Sequence, residues 1–552
     1  MAVEEFDVIV CGAGSGGGFF AGEVAPYASV LILEAGPHIT GEPNYGVGSP
    51  ERRRFSTQIN LGTYFPDSTR SNRGAAFFSY PMYMSEASPL AVSVQREGRV
   101  VGGGSFINVG AWIRPRLIDW DGFAEETGVE GWTKEKWEPH FRKCEYTMHV
   151  HRDRRSVWNK ASLLYEQAAR SMGIPVFETA SNRHRCIFCG QRLNAGVPCK
   201  YDALMSTAIT QIPKALRNGA KLVDNALAVR IEIDNRRATG VTYLKDGQLI
   251  RANAKKLVVA SAGAIGTPPL LIASGLYEMN RNVGQYLRAH PGIPIDALMP
   301  TNDWETDRGY QWNSHHYLMN DRGEPEDAII HIGAGFPAAT AWVAAAVGTF
   351  GKPYKDLMRN YRYRVGAFVF QLKPNMYGQV VGDPLKPVIL YRVADKTGKL
   401  EPKTLKDLAD SVKQVARVYN KIGAITTFPN ADDPQFLIEA QITQFVTTAG
   451  ALHGQGTCRA GKSPQNSVTD TNCMSWDVKN LMCADASPIP HHISSNPNSM
   501  IMALGNRCAE FAITEVLGKT LRPEDRAESF MWYGQQPGPP ATQAEPAAGG
   551  TP

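Results

Sequence analysis

Asp7-Val-Ile-Val-Cys-Gly-Ala-Gly-Ser-Gly-Gly17, followed by Leu31-Ile-Leu-Glu34, is the stretch on which the fold turns. Phe6–Val10 is a short apolar run interrupted only by Asp7, the mark of a strand buried on both faces. A glycine turn follows, then a stretch to Val24 that can be helical, then a second apolar run at Val30–Leu33. In Gly12-x-Gly14-x-x-Gly17 the first glycine permits the tight turn and the second lets the backbone approach a pyrophosphate. The third lets helix and strand pack closely. Phosphates would sit beside Ser15, against the amides and positive dipole end of the helix. Glu34 closes the second strand at the spacing of a carboxylate that grips ribose hydroxyls. Strand, turn, helix, strand and acid in register predict an α/β, Rossmann-like dinucleotide domain. They do not choose between nicotinamide and flavin.

The chain has 552 residues, too many for one simple core, and about two to four domains are expected. Its 43% hydrophobic and 20% charged residues are ordinary for a globular protein. The formal charge of +5 is small and dispersed, which argues against a nucleic-acid partner and against an anionic membrane surface. Met1-Ala-Val-Glu-Glu-Phe-Asp carries no basic n-region, apolar h-region or twin arginine, so a cytoplasmic location is expected. A periplasmic one would require export with a signal-bearing partner. The uncharged run Ile332–Gly351 is Ala-rich and broken by Pro337 and glycines, so it reads as a buried or partner-facing helix, not a membrane span.

Farther along, Arg99-Val-Val-Gly-Gly-Gly-Ser105 is a second glycine turn leading into Asn108–Trp112. Lys221–Asp234 and Arg237–Lys245 alternate like antiparallel strands, and Lys256–Ala260 reads as another buried strand. Residues from about 120 to 220 look helical, with a cysteine-bearing loop at 184–200. Val365–Leu372 and Val388–Val393 are strand-like, and Leu405–Ile422 is an amphipathic helix. The nucleotide domain is therefore expected to be discontinuous, over 1–119, 221–299 and 451–530. A substrate domain would occupy 120–220 and 300–450, and the Pro-, Gly- and Ala-rich tail 535–552 is expected to be disordered.

Near the far end stand Ala451-Leu-His453-Gly-Gln-Gly-Thr-Cys-Arg459, Asp485-Ala-Ser-Pro and Ser495-Asn496-Pro-Asn498. Together with Gly12–Gly17, Glu34, Arg99–Asn108, Ala262–Gly275 and Val283–Pro291, these blocks run in the order found in one family. The chain resembles the glucose–methanol–choline family of FAD-dependent oxidoreductases along nearly its whole length. It is closest to the members that oxidise sugars and glycosides.

The resemblance implies a flavin domain of the glutathione-reductase and hydroxybenzoate-hydroxylase type, with an inserted α+β substrate domain on a six-stranded antiparallel sheet. Arg99, Gly104, Asn108 and Gly110 would line the flavin and its phosphates, and Val229 would meet the adenine through its backbone. Asp485 would lie near the pyrophosphate or ribityl chain, and Ala486, Asn496 and Asn498 would also contact the cofactor. Some members attach FAD through a histidine just before the asparagine of the glycine block. Ile107 stands there and forms no such bond, so FAD is expected to be dissociable.

Oxidising an alcohol requires a hydride acceptor, which FAD supplies, and a base for the hydroxyl proton. Histidine titrates near neutrality, and His453 matches the family's catalytic histidine. Asn496 matches the second catalytic position, where an amide donates a hydrogen bond but cannot act as a base. His491 and His492 are rivals for the base, and His290 reads as a structural hydrogen-bonding residue.

The substrate implied is a sugar, glycoside or polyol, with an aliphatic or aromatic alcohol oxidase as the alternative. Lys352–Tyr361 carries the likeness to sugar-oxidising members. Trp312, His315, His316 and Tyr317 serve equally well as ring-binding or packing residues. Dioxygen, a quinone or a carrier protein remain open as electron acceptor. An electron-passing subunit with a small partner is the class-level rival. Cys186, Cys189 and Cys199 could ligate an iron–sulfur cluster or zinc, form a disulfide, or stay free.

Overall fold

The computed structural model describes residues 3–38, 77–85, 92–188, 199, 202–305, 312–333, 351–395, 397–449 and 451–530. The disordered tail predicted at 535–552 and all but the ends of the Ile332–Gly351 run lie outside them. Among the described residues no helix is long and apolar enough to cross a membrane.

The first sheet is built on Glu4–Cys11, with Val30–Leu33 and then Lys221–Val223 on one side and Gln248–Ala260 on the other, all parallel. Leu481–Cys483 adds a further parallel strand beside Val258–Ala260. Alternate residues feed two cores. Val8, Val10, Val30, Ile32, Leu257 and Val259 face one hydrophobic cluster, and Ile9, Cys11, Leu31, Leu33, Val258 and Ala260 face the other. Burial on both faces explains why these strands read as unbroken apolar runs.

The expected Lys221–Asp234 strand is in fact two. Lys221–Val223 lies in the parallel sheet and Ala226–Asp234 in an antiparallel meander with Arg237–Lys245 and Gln248–Ala260. Asn225 breaks the run by taking φ +50°, the left-handed region that asparagine tolerates and longer side chains resist.

The second sheet runs, by strand neighbour, Thr426–Phe428, Arg288–Leu298, Arg364–Gln371, Pro325–Gly333, Ser314–Met319 and Phe177–Glu178. Ala451–Gln455 joins it alongside Arg288–Pro291, so the expected six-stranded antiparallel sheet gains a seventh strand. One face packs on the helix Pro402–Lys421: Ile293, Ile295, Ile330, Val365 and Val369 share a core with Leu408, Val412, Val415 and Tyr419. The opposite face presents Ile329, Phe370, Tyr317 and Trp312 toward Val109, Ala111 and Ile113 of the nucleotide-binding half. A four-stranded sheet of Phe77–Ser85, Val92–Gly98, Gln379–Asp383 and Lys386–Ala394 was not anticipated.

The expected boundaries miss two structural allegiances. Arg288–Leu298, assigned by the sequence reading to the nucleotide domain, pairs in the second sheet. Helices Leu117–Thr127 and Lys134–Thr147, assigned to the substrate domain, pack instead on the nucleotide side. Their Trp120, Phe123, Trp137 and Phe141 share a core with Val8, Phe19 and Met500. Helical periodicity reports a buried stripe but not the partner that covers it.

Candidate active site

The turn after Glu4–Cys11 is fixed by backbone contact. Gly12 has φ +117°, and a Cβ there would lie 2.3 Å from the Ser261 carbonyl oxygen. Helix Ser15–Val24 carries three glycines directly after Ser15, a cost of about 2–3 kcal/mol in propensity. Close packing offsets it: a Cβ on Gly16 would meet Ala484 O at 2.1 Å, and one on Gly17 would meet Gly12 O at 2.1 Å. A Cβ on Gly505, in helix Asn498–Phe511, would meet Gly16 O at 2.4 Å.

Gly14, by contrast, opens onto space. A Cβ there would find only Gly103 Cα, at 3.9 Å, and one on Gly104 nothing within 4 Å. The first helical turn carries no acid. This cradle of bare backbone at a helix N-terminus suits a pyrophosphate. Ser15 Oγ donates to Asn498 Oδ1 (2.8 Å), while Asn498 Nδ2 is buried without a partner among the described residues. Glu34 is buried, with Ala13 N and Gly36 N donating to its two oxygens (2.9 Å each). Burial pushes its carboxyl up to about 7.

The remaining predicted cofactor residues are held by contacts with the protein itself. Arg99 Nε donates to Ala35 O (3.1 Å), and Gly110 N donates to Asn108 Oδ1 (2.9 Å). Gly110 has φ +80°. Val229 sits where the register slips, between Arg230 opposite Thr242 and Ala228 opposite Tyr243, so its backbone is bulged out of the ladder. The Asp485 side chain is tied to protein, accepting from Gly263 N (2.8 Å), Thr267 Oγ1 (2.6 Å) and Ser487 N (2.7 Å). Ala486 is buried beside it. The bare backbone at Gly14 and Gly104 leaves room for the phosphates of an FAD, and Ile107 offers no nucleophile to fasten one.

His453 lies on Ala451–Gln455, where His290 pairs with Leu452 and Arg288 with Gln455. His453 and Gly454 together oppose Ala289, which is a bulge, and His453 adopts φ +67°. Bulges re-aim side chains beside active sites, and this one turns the imidazole inward. His453 Nδ1 stands 3.0 Å from His290 Nδ1, and His453 Nε2 stands 3.5 Å from Asn496 Nδ2. The Asn496 loop is anchored by Asp119, which accepts from Ser494 N (2.9 Å) and Ser494 Oγ (2.6 Å).

The contact between the two histidines fixes their tautomers. One Nδ1 must carry the shared proton and the other accept it. Asn496 Nδ2 can only donate, so the His453 Nε2 lone pair faces it and the His453 proton sits on Nδ1. His453 therefore donates from Nδ1 to His290 Nδ1, which leaves the His290 proton on Nε2. Burial pushes His453 down to about 4, so the ring is neutral at pH 7. The fully buried His290 is held well below its ordinary value, by burial and then by His453.

Around this pair stands an aromatic wall. The Phe370 and His453 ring centroids are 4.7 Å apart, and Phe368 and Phe370 also 4.7 Å. Trp312 lies 4.6 Å from His331. His331 is fully buried, and burial followed by the charges of His315 and His453 depresses it, with Asn496 opposing. Neither of its ring nitrogens has a well-formed partner among the described residues.

Sequence reading missed His331. Its only signal was an imidazole in an otherwise apolar strand. Trp312 does reach the wall. His315 reaches it less directly, bonding to Thr179 Oγ1 (2.8 Å), while His316 bonds away from it to Tyr165 OH (3.0 Å). In the Lys352–Arg359 helix, part of the segment that carried the likeness to sugar-oxidising members, Lys352, Lys355 and Arg359 are exposed.

Cys186 Sγ accepts from Phe188 N (3.4 Å), Cys199 is half-buried, Cys189 lies outside the described residues, and no three metal-ligating side chains converge among those described. Cys458 with Cys483, and Cys473 with Cys508, form hydrogen-bonded thiol pairs in the nucleotide-side core.

Known proteins resemble this chain in sequence and in fold. The N-terminal and C-terminal models described as GMC oxidoreductase match residues 47–292 and 389–505. A long-chain-alcohol oxidase of Arabidopsis thaliana, FAO4B, is 24% identical over 93% of this chain and 68% of its own length. An oxygen-dependent choline dehydrogenase of Burkholderia multivorans is 31% identical over 50% of this chain and 48% of its own. The formate oxidase structure of Aspergillus oryzae superposes with a TM-score of 0.70 at 18% identity, covering 93% of this chain and 99% of that one.

Proposed function

Because this chain belongs to the GMC oxidoreductases, FAD-dependent enzymes acting on CH–OH groups, we propose that it oxidises a sugar, glycoside or polyol hydroxyl to the carbonyl. His453 is the base: its Nε2 lone pair takes the hydroxyl proton. Asn496 orients the substrate oxygen by donating from Nδ2. His290 holds the tautomer that leaves Nε2 free. The FAD, when bound, supplies the hydride acceptor. Preorganised donors and bases of this kind contribute about 10²–10⁴-fold each.

The observation that carries this reading is the bulged, neutral His453 facing Asn496 beneath an aromatic wall, at the junction of the two sheets. Phe368, Phe370 and Trp312 suit the C–H faces of a sugar ring, while His331 suits its further hydroxyls.

The aromatic wall equally favours a second reading, an aromatic or aliphatic alcohol oxidised with dioxygen. A panel of sugars, polyols, aryl alcohols and alkanols, read as anaerobic bleaching of the flavin, separates them. Sugars or polyols should react fastest, and faster bleaching by an aryl or long-chain alcohol would favour the second. Peroxide formed under air, against turnover with a quinone dye, identifies the electron acceptor.

A further inference from the structure

Alcohol oxidation leaves one proton on the base for each hydride removed, and His453 is half-buried at the sheet junction. Four imidazoles line up from it toward the surface. His453 Nδ1 meets His290 Nδ1 at 3.0 Å. The His290 ring lies 6.3 Å from that of His492, with planes only 22° apart, and His492 lies 5.7 Å from His491. His290 and His492 are buried at 0% and 1% exposure, whereas the His491 side chain is 21% exposed. Nδ1 of His491 stands 3.4 Å from Glu126 Oε2. His290 Nε2, His492 Nδ1 and His491 Nδ1 all lack a well-aligned hydrogen-bond partner among the described residues. A water bridging each of the two wider spacings would complete the path.

We propose that His290, His492 and His491 form a proton exit from the catalytic base to solvent. The proposal rests on His453 being that base. The substrate O–H bond breaks and its proton bonds to His453 Nε2. The Nδ1 proton of His453 passes to His290 Nδ1, and the Nε2 proton of His290 is taken up at His492 Nδ1, which hands it on from the same nitrogen toward His491 because the His492 Nε2 proton stays hydrogen-bonded to the Pro374 carbonyl. Every ring ends neutral, and one proton reaches the surface. The charged surroundings favour passage over storage. Arg288 lies beside His492 and disfavours a resting cation there, while Glu126 faces His491 at the exit. Arg288 and Arg459, each 2.8 Å from Glu126, hold that carboxylate in place, and His492 Nε2 is 3.2 Å from the Pro374 carbonyl.

Two variants test the exit without touching the base. H491N removes its last ring. G122A disturbs it indirectly, because a Cβ on Gly122 would lie 2.5 Å from His491 Cδ2. The FAD-loaded enzyme is mixed anaerobically with a reducing alcohol in weak buffer containing a pH indicator, and flavin bleaching and proton release are followed together. The wild type should release one proton in step with bleaching. In both variants bleaching should persist while release lags by about tenfold or more, and added imidazole should restore it in H491N. Release in step with bleaching in both variants, or no release by the wild type, would overturn the exit. Normal bleaching by H453A would overturn instead the reading of the base, so the two failures are distinguishable.

Discussion

His453 gathers the chemistry at the residue scale, and its backbone φ of +67° shows that the fold bends to place it. H453A should retain FAD yet lose about 10²–10⁴-fold in the rate of flavin reduction by substrate, measured by anaerobic stopped-flow. Its pH dependence has a definite sign. The base works only unprotonated, and burial holds it down to about 4, so kcat/KM should be level near neutrality and fall as pH drops through about 4. A fall centred near 6.5 would mean that a solvent-exposed imidazole is the base. H331F should raise KM for polar alcohols with little change in kcat, the signature of lost uniform binding.

The sequence motifs pointed to His453 and Asn496. The contact between His290 and His453 was not legible, because it depends on a one-residue bulge between strands far apart in the chain. His331 was hidden for a simpler reason: a single histidine in an apolar strand looks like core.

At the scale of elements, the glycines of helix Ser15–Val24 matter through what lies against them. G505V would press a side chain into the Gly16 carbonyl, 2.4 Å from where its Cβ must go. It should cost about 1–3 kcal/mol or more and release FAD, seen as a lower melting temperature and rising free-flavin fluorescence. The strand–turn–helix–strand unit was plain in the sequence because each piece obeys a local rule. The two-part nature of Lys221–Asp234 turned on one left-handed asparagine. The allegiance of helices Leu117–Thr127 and Lys134–Thr147 was invisible, since periodicity names a buried face without naming its cover.

On the scale of the whole molecule, two sheets meet so that one brings the dinucleotide cradle and the other the aromatic wall. Their meeting line carries His453, Asn496 and His290. The resemblance of separate blocks foretold this meeting, but the seventh strand and the four-stranded sheet emerge only from long-range pairing. Ile107 at the position of the tethering histidine predicts that acid or urea denaturation frees all the flavin from the polypeptide.

The most direct test of the central claim is a single anaerobic turnover of the FAD-loaded enzyme with a polyol or sugar substrate, wild type against H453A. The account predicts rapid bleaching of the flavin in the wild type and near-absent bleaching in a variant that still holds its FAD. Equal bleaching in both, or a wild-type protein that binds no FAD, would contradict it.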